Sequence, residues 1–341
     1  MDERKSIEKN NLIHYKEEIN IFLEQIKQVK GVENVVFAQS DENIIESAGV
    51  WFSTDEIINF SIATSAIFNV GKYLYPKDLK YILVEGKKAK FLIAPIDNAI
   101  DATNDRILDE NGVLDDKPEF FIAITTQPNI KLKNLFFRIE EWRKKIKIPL
   151  EPSEGFFKPL PIRFNNPKFR DLIEGINTEE NEGAVFKLSN YSINVPKTIF
   201  IEIKKIMLNI SREIPELEYA FITIEGGFIA SNLLKSVDIT IEKLDNISVI
   251  SYSFFGKANR CAWLTKQMGV DCISCLGAKF YDFFFKMGKG IFSVRVKKIE
   301  DGRENQKRAL KKFEFMRVAL TGFSRKINLI FQENIKVEDN N

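Results

Sequence analysis

Apolar positions at helical spacing open the readable part of the chain. Ile19, Phe22, Leu23, Ile26 and Val29 recur three and four apart, and Gly31 follows as a stop signal. The period then shortens to that of strands. Residues 35–38 and 44–45 are apolar runs separated by Ser40-Asp41-Glu42-Asn43, a turn composition. Ser53-Thr54-Asp55-Glu56 supplies an N-cap and first-turn acids to a second helix, which runs to about Tyr75 before Pro76 stops it. Residues 81–84 and 91–94 flank Gly86-Lys87-Lys88 as a hairpin, and residues 120–126 form a fifth strand. Leu132, Leu135, Phe136, Ile139, Trp142 and Ile146 then share one face of a last helix. The predicted order is α-β-β-α-β-β-β-α.

That order returns in the second half. Phe200, Ile203, Met207, Ile210 and Ile214 form a helix face ended near Pro215, and runs 218–224 and 228–231 flank Gly226-Gly227. A long helical region over about 242–268 precedes strands at 272–275, 280–285 and 291–296, with Gly288 and Gly290 at the last turn. Phe313, Met316, Leu320, Phe323, Ile327 and Ile330 mark the final helix. Segment 29–37 lines up with 214–222, and 79–84 before Gly86 with 270–275 before Gly277, so an internal repeat is expected. Between the halves fall Pro149, Pro152, Pro159, Pro161 and Pro167, five of the eleven prolines, which predict an extended boundary. The expected organisation is a flexible N-terminus 1–14, a first domain 15–148 carrying an acidic insertion 98–118, a linker and extra segment 149–196, a second domain 197–332 and a tail 333–341. Within the extra segment a short helix near Leu172 and a strand at 184–188 are expected.

Length and composition agree with two soluble cores. The chain has 341 residues, more than one core usually holds, and 44% are apolar. Fifty Lys and Arg against 48 Asp and Glu leave a net charge of +2, so no whole-molecule field draws in nucleic acid or an anionic membrane. A charged start, short apolar runs and three cysteines predict a cytoplasmic protein without signal peptide, membrane span or disulfide framework.

Catalytic chemistry finds little support in the residues. The single histidine, His14, lies in a charged segment without partners for a triad. Cys272-Ile273-Ser274-Cys275 has only Cys261 besides, too few ligands for structural zinc, and strand geometry sends its two thiols to opposite faces. Buried thiols are therefore expected. Gly71-Lys72, Gly256-Lys257 and Gly288-Lys289-Gly290 lack the glycine spacing of a phosphate loop. Asp97, Asp101, Asp105, Asp109, Glu110, Asp115 and Asp116 make only a fragment of a calcium loop and read as a solvated segment. Arg143-Lys144-Lys145, Lys297-Lys298, Lys307-Arg308 and Lys311-Lys312 read as solvated helix faces, with an anionic lipid or nucleic-acid contact as the lesser alternative.

Gly31-Val32-Glu33 through Ser47, with Asp41 in the turn and Ala48-Gly49 after it, resembles the opening pattern of the Roadblock (dynein light chain) family. The small residues Ala63, Ser65 and Ala66 of the next helix fit that resemblance. Glu225-Gly226-Gly227-Phe228-Ile229-Ala230-Ser231 repeats the hairpin, with Pro215-Glu216 in place of the glycine step. The likeness covers about residues 15–146 and 197–332. It implies an α/β (α+β) chain of two profilin-like domains, each a five-stranded antiparallel sheet with the second helix on one face and the terminal helices on the other. It implies pairing through the second helix and its neighbouring strand, so that two domains in one chain form a built-in pseudo-dimer and homo-oligomers stay open. Tandem chains of this kind are familiar in archaea with eukaryote-like small GTPases.

The function implied is a non-enzymatic scaffold or regulator of small Ras-like GTPases, with no cofactor, metal, catalytic residue or nucleic-acid partner. The surfaces expected to mediate pairing or docking are the second helices, at Ile57, Ile58, Ala63 and Ile67 and at Tyr252, Phe255 and Ala258. A tandem GAF/PAS-like small-molecule sensor and a self-assembling structural protein are the rivals.

Overall fold

The computed structural model describes residues 17, 19–49, 52–76, 78–96, 119–150, 197–224, 228–236, 239–265, 269–288, 290–298 and 306–334. His14, the acidic insertion, the body of the proline-rich segment, the Gly226-Gly227 turn and the end of the tail lie outside them.

Helix α1 (19–27) leads through Gly31, whose φ of +96° lies in the left-handed region, into β1 (Val32–Gln39) and β2 (Ile44–Gly49). Then come α2 (Thr54–Leu74), β3 (Leu79–Glu85), β4 (Lys90–Ile96), β5 (Phe120–Thr126) and α3 (Leu132–Leu150). Helix α3 thus runs two residues into the segment expected to be extended, with Pro149 in its last turn. The second half comprises α4 (Lys197–Glu213), β6 (Leu217–Ile224), β7 (Phe228–Leu234), α5 (Ile241–Leu264), β8 (Cys272–Gly277), β9 (Phe280–Met287), β10 (Gly290–Lys297) and α6 (Gln306–Asn334). Helix α5 stops at its C-cap Thr265, short of the expected Met268.

All ten strands join one antiparallel sheet in the order β2-β1-β5-β4-β3-β8-β9-β10-β6-β7. Strands such as β5 are buried at every position, so both faces must be covered. Ile19, Leu23, Leu135, Ile139, Met207, Ile210, Phe313 and Leu320 pack from α1, α3, α4 and α6 onto one face. Phe60, Ile67, Phe68, Phe254 and Ala258 pack from α2 and α5 onto the other. A smaller cluster of Tyr219, Phe221 and Leu244 extends that second layer in the second half. Pro95 is accommodated inside the sheet because the β3–β4 pairing ends at Ile82 and Ile93, where its missing N–H is no longer needed.

The registers relate the halves residue by residue. Val36 pairs with Ala123, Ala123 with Ile93 and Ile93 with Ile82. Phe221 pairs with Ser293, Ser293 with Phe284 and Phe284 with Ile273. Ile82 and Ile273 are therefore equivalent positions, as are Leu83 and Ser274. Leu83 and Ser274 are also partners in the β3–β8 ladder, so a local two-fold axis passes through that pair.

Candidate functional site

The seam between the halves has three layers. In the sheet, β3 and β8 pair over Tyr81–Leu276 to Glu85–Cys272. On one face, α2 and α5 pack against each other. On the other, Phe136 of α3 meets Phe313 of α6 edge-on at 6.4 Å between ring centroids.

Helix α2 begins at Ser53, whose hydroxyl accepts from the Glu56 N–H at 3.3 Å while the Glu56 carboxylate accepts from the Ser53 N–H at 2.9 Å. Helix α5 begins at Thr240, whose hydroxyl accepts from the Lys243 N–H. Every residue from Phe60 to Ser65 is buried. A helix against a sheet alone would leave one side open. The unbroken burial comes from α5 on one flank and the β1–β2 connection on the other, where Ser61 and Ser65 donate to the Glu42 and Gln39 carbonyls. Among the expected interface residues, Ile58, Ala63, Ile67, Phe255 and Ala258 are buried, and Ala63, Ile67, Phe255 and Ala258 join one cluster. Ile57 and Tyr252 are partly buried against it. Ala63, Ile67, Phe255 and Ala258 thus pack between the helices and the sheet.

A buried polar network crosses the seam. Asp282 on β9 is fully buried and accepts from Arg295 Nε at 2.8 Å and Nη2 at 2.6 Å. It also accepts from the Tyr219 hydroxyl at 3.1 Å and from the Tyr75 hydroxyl at 2.5 Å. Tyr75, the C-cap of α2, belongs to the other half, and its ring lies where a Cβ on Gly277 would fall. The guanidinium stacks within 5.2–5.7 Å of the Tyr75, Tyr219 and Phe280 rings. Burial, then the neighbouring Asp282 charge, pushes both tyrosine hydroxyls far above their ordinary range, so they stay donors. Burial works against the Arg295 charge, but Asp282 overrides it and holds the guanidinium protonated. A second crossing joins Glu85 of β3, beside Lys90 at 3.0 Å, to Arg317 of α6 at 2.8 Å.

The three thiols offer no reactive centre. Cys272 faces the α6 side of the sheet and Cys275 the α2 side, and burial raises both, and Cys261, well above the usual thiol range. Among the described residues no group of three His, Cys, Asp or Glu side chains could hold a metal ion. Arg143 departs from the expected solvated basic face. It is buried, with its guanidinium 4.6 Å over the Tyr81 ring, and donates to Glu140 at 2.9 Å and to the Lys80 carbonyl.

The side chains that stand out of the helix layer were not among those singled out from sequence. Tyr73 and Trp263 occupy matching places in the last turns of α2 and α5, before Leu74 and Leu264, and are 72% and 74% exposed. Val249 of α5 is also exposed. Aligning the two helix ends would have revealed the aromatic pair; apolar periodicity hid it, because both lie off the buried stripe.

No family model and no curated protein matches the sequence. Solved structures that the fold is similar to include the gliding protein MglB from Thermus thermophilus, at 12% identity and a TM-score of 0.32 over 42% of this chain and 97% of that one. A Roadblock/LC7 domain from Streptomyces avermitilis matches at 11% identity and a TM-score of 0.30, over 39% of this chain and 97% of that one. Myxococcus xanthus MglB matches at 13% identity and a TM-score of 0.32, over 39% of this chain and 98% of that one.

Proposed function

We propose that the chain is a non-enzymatic platform for small Ras-like GTPases, made of two Roadblock-like domains that pair within one chain. The observation that carries this is the seam itself: β3 against β8 and α2 against α5. That is the strand-and-helix pairing implied by the sequence resemblance of segments 31–49 and 225–231. An obligate interface resembles a bisected core, and the buried faces of α2 and α5 have that character.

The outward side of the α2–α5 pair is the docking face in this reading. Tyr73 and Trp263 are its anchors, since exposed Trp and Tyr dominate the energetics of protein interfaces. The test is binding of the purified chain to the small GTPases of its own genome, each loaded with GDP or with a non-hydrolysable GTP analogue. A saturable complex sensitive to the nucleotide is expected. Trp263→Ala should weaken it about 30-fold, corresponding to a hot-spot loss of about 2 kcal/mol, without moving the unfolding midpoint. Absence of binding to every GTPase removes the reading.

A further inference from the structure

Helices α4 and α6 pack together on the face of the sheet opposite α2 and α5. Their buried stripes, Ile203, Met207 and Ile210 on one and Phe313, Met316, Leu320 and Ile327 on the other, point into the same core. Their opposite stripes therefore point out of the molecule together. On α6 that stripe carries Phe315, Val318 and Leu329, which are 69%, 63% and 57% exposed, flanked by exposed Lys311 and Arg325. On α4 it carries the exposed Ile201 and Leu208 with Lys205 and Arg212. At 3.6 residues per turn the α4 stripe carries no Asp or Glu, its acids Glu202 and Glu213 lying on the flank, and the α6 stripe carries one, Glu333 a turn beyond Leu329, against Arg308, Lys311, Arg325 and Lys326. Neither Lys311 nor Arg325 has an ion pair among the described residues.

The first half carries mixed charge on the same side of the sheet. There the exposed Ile21 stands beside Glu17 and Glu24, and the exposed Phe137 between Lys133 and Glu141, the latter paired with Arg138. A face that sets large apolar side chains among a surplus of cations is the pattern of a helix lying in an anionic bilayer interface. Nucleic acid would use stacking surfaces, and of the five exposed apolar side chains Phe315 alone offers one. Among the described residues no helix is long and apolar enough to cross a membrane, so the contact is one of surface.

We infer that the α4–α6 face docks the second half onto a membrane surface bearing anionic lipid headgroups. Phe315, Val318 and Leu329 enter the headgroup–acyl boundary while Lys311, Arg325, Lys205 and Arg212 meet the phosphates and carboxylates.

The test is cosedimentation of the full chain with vesicles of phosphatidylcholine alone and of phosphatidylcholine with phosphatidylserine, at low and high salt. Binding to the anionic vesicles alone, weakened by salt, is expected. Lys311→Gln with Arg325→Gln should weaken partition about 30-fold, from the loss of two surface cations. Phe315→Ser with Val318→Ser should weaken what remains at high salt. Lys205→Gln with Arg212→Gln tests the same face through α4 should the α6 variants fail to fold. Ile21→Ser with Phe137→Ser, on the first half, should change nothing. Equal binding to both vesicles, no binding to either, or equal losses in the first-half control overturn the inference. So does a concentration-dependent mass, or binding to duplex DNA, that the α6 variants abolish while vesicle binding is absent.

Discussion

Replacing Asp282 by Asn tests whether the buried network holds the two halves together. The carboxylate accepts two bonds from Arg295 and one each from Tyr219 and Tyr75, all with no exposure of its own. An Asn keeps the shape but offers one acceptor oxygen. Each carboxylate oxygen accepts from one guanidinium N–H and one tyrosine, so the amide nitrogen faces both a guanidinium N–H, which cannot accept, and a tyrosine that presently donates. The Arg295 charge also loses its counter-ion. Stripping one partner from a buried pair costs about 3–5 kcal/mol. Because the Arg295 side chain keeps 18% of its surface in water, the loss belongs near the lower end, about 3 kcal/mol.

Urea unfolding followed by tryptophan fluorescence measures this. Buried Trp142 reports on the first half, and far-UV circular dichroism on both halves together. At an m-value of roughly 3 kcal/mol/M the midpoint should fall by about 1 M. Tyr75→Phe alone removes a single bond to a charged acceptor, about 1.5–3 kcal/mol. The double variant should lose less than the sum of the singles, because both act on one network. Asp282→Leu with Arg295→Met, which removes both charges, should recover much of the loss. A midpoint unchanged by Asp282→Asn, or strictly additive singles, would refute the assignment of the seam to this network.

Gly277→Ala places a methyl group against the buried Tyr75 ring and should cost about 1–3 kcal/mol in the same unfolding experiment. Glu85→Ala leaves Arg317 and Lys90 without their shared acid and should cost about 2 kcal/mol, a loss that high salt reduces only slightly. The three cysteines should resist a thiol reagent at pH 8 in the folded chain and all react in urea, since burial holds each above the ordinary thiol range. Burial would raise the Glu216 carboxyl, but its bond from Lys312 leaves it below the usual range. Its stabilising effect is present above the unfolded value of about 4.3 and is lost as the pH falls through the folded one. Lys312→Met should remove that dependence at a cost under about 1 kcal/mol, seen in unfolding midpoints across pH 3–6.

Much of the fold is written in local pattern. The run 120–126 is apolar throughout, and β5 spans Phe120–Thr126. Ser53 and Pro76 bracket the second helix, and α2 fills the interval. What periodicity could not convey is which strands become neighbours across the chain, because β3 reads as apolar whether β8 or water lies at its edge. The polar exceptions carried that information. Asp282 interrupts the aromatic run of β9 and Arg295 the apolar run of β10, and two opposite charges inside facing apolar runs signal a buried pair. Arg143 misled for the converse reason: in a basic run, the one cation that is buried looks like its solvated neighbours. Tyr73 and Trp263 were invisible to a search for core positions, since they are apolar residues outside the core.

The same polar exceptions favour pairing of one half with the other over pairing of each with its own kind. By register Asp282 is equivalent to Phe91, Glu85 to Leu276, and the C-cap Tyr75 to the C-cap Thr265. A first domain paired with another first domain would set the Tyr75 hydroxyl against Phe91, burying a donor without an acceptor. A second domain paired with another second domain would set Asp282 against Thr265 and would have no Glu85 for Arg317. In either case a bond made across the present seam is replaced by an unpaired buried group costing about 1–3 kcal/mol at each of two symmetric sites. The apolar ladder around Leu83 and Ser274 supplies the adhesion, and the asymmetric polar contacts select the partner. Once pairing is fixed within one chain, the outer faces of the two halves are free to differ. They do: Glu17 and Glu24 flank Ile21 on the first, and Lys311 and Arg325 flank Phe315 and Val318 on the second.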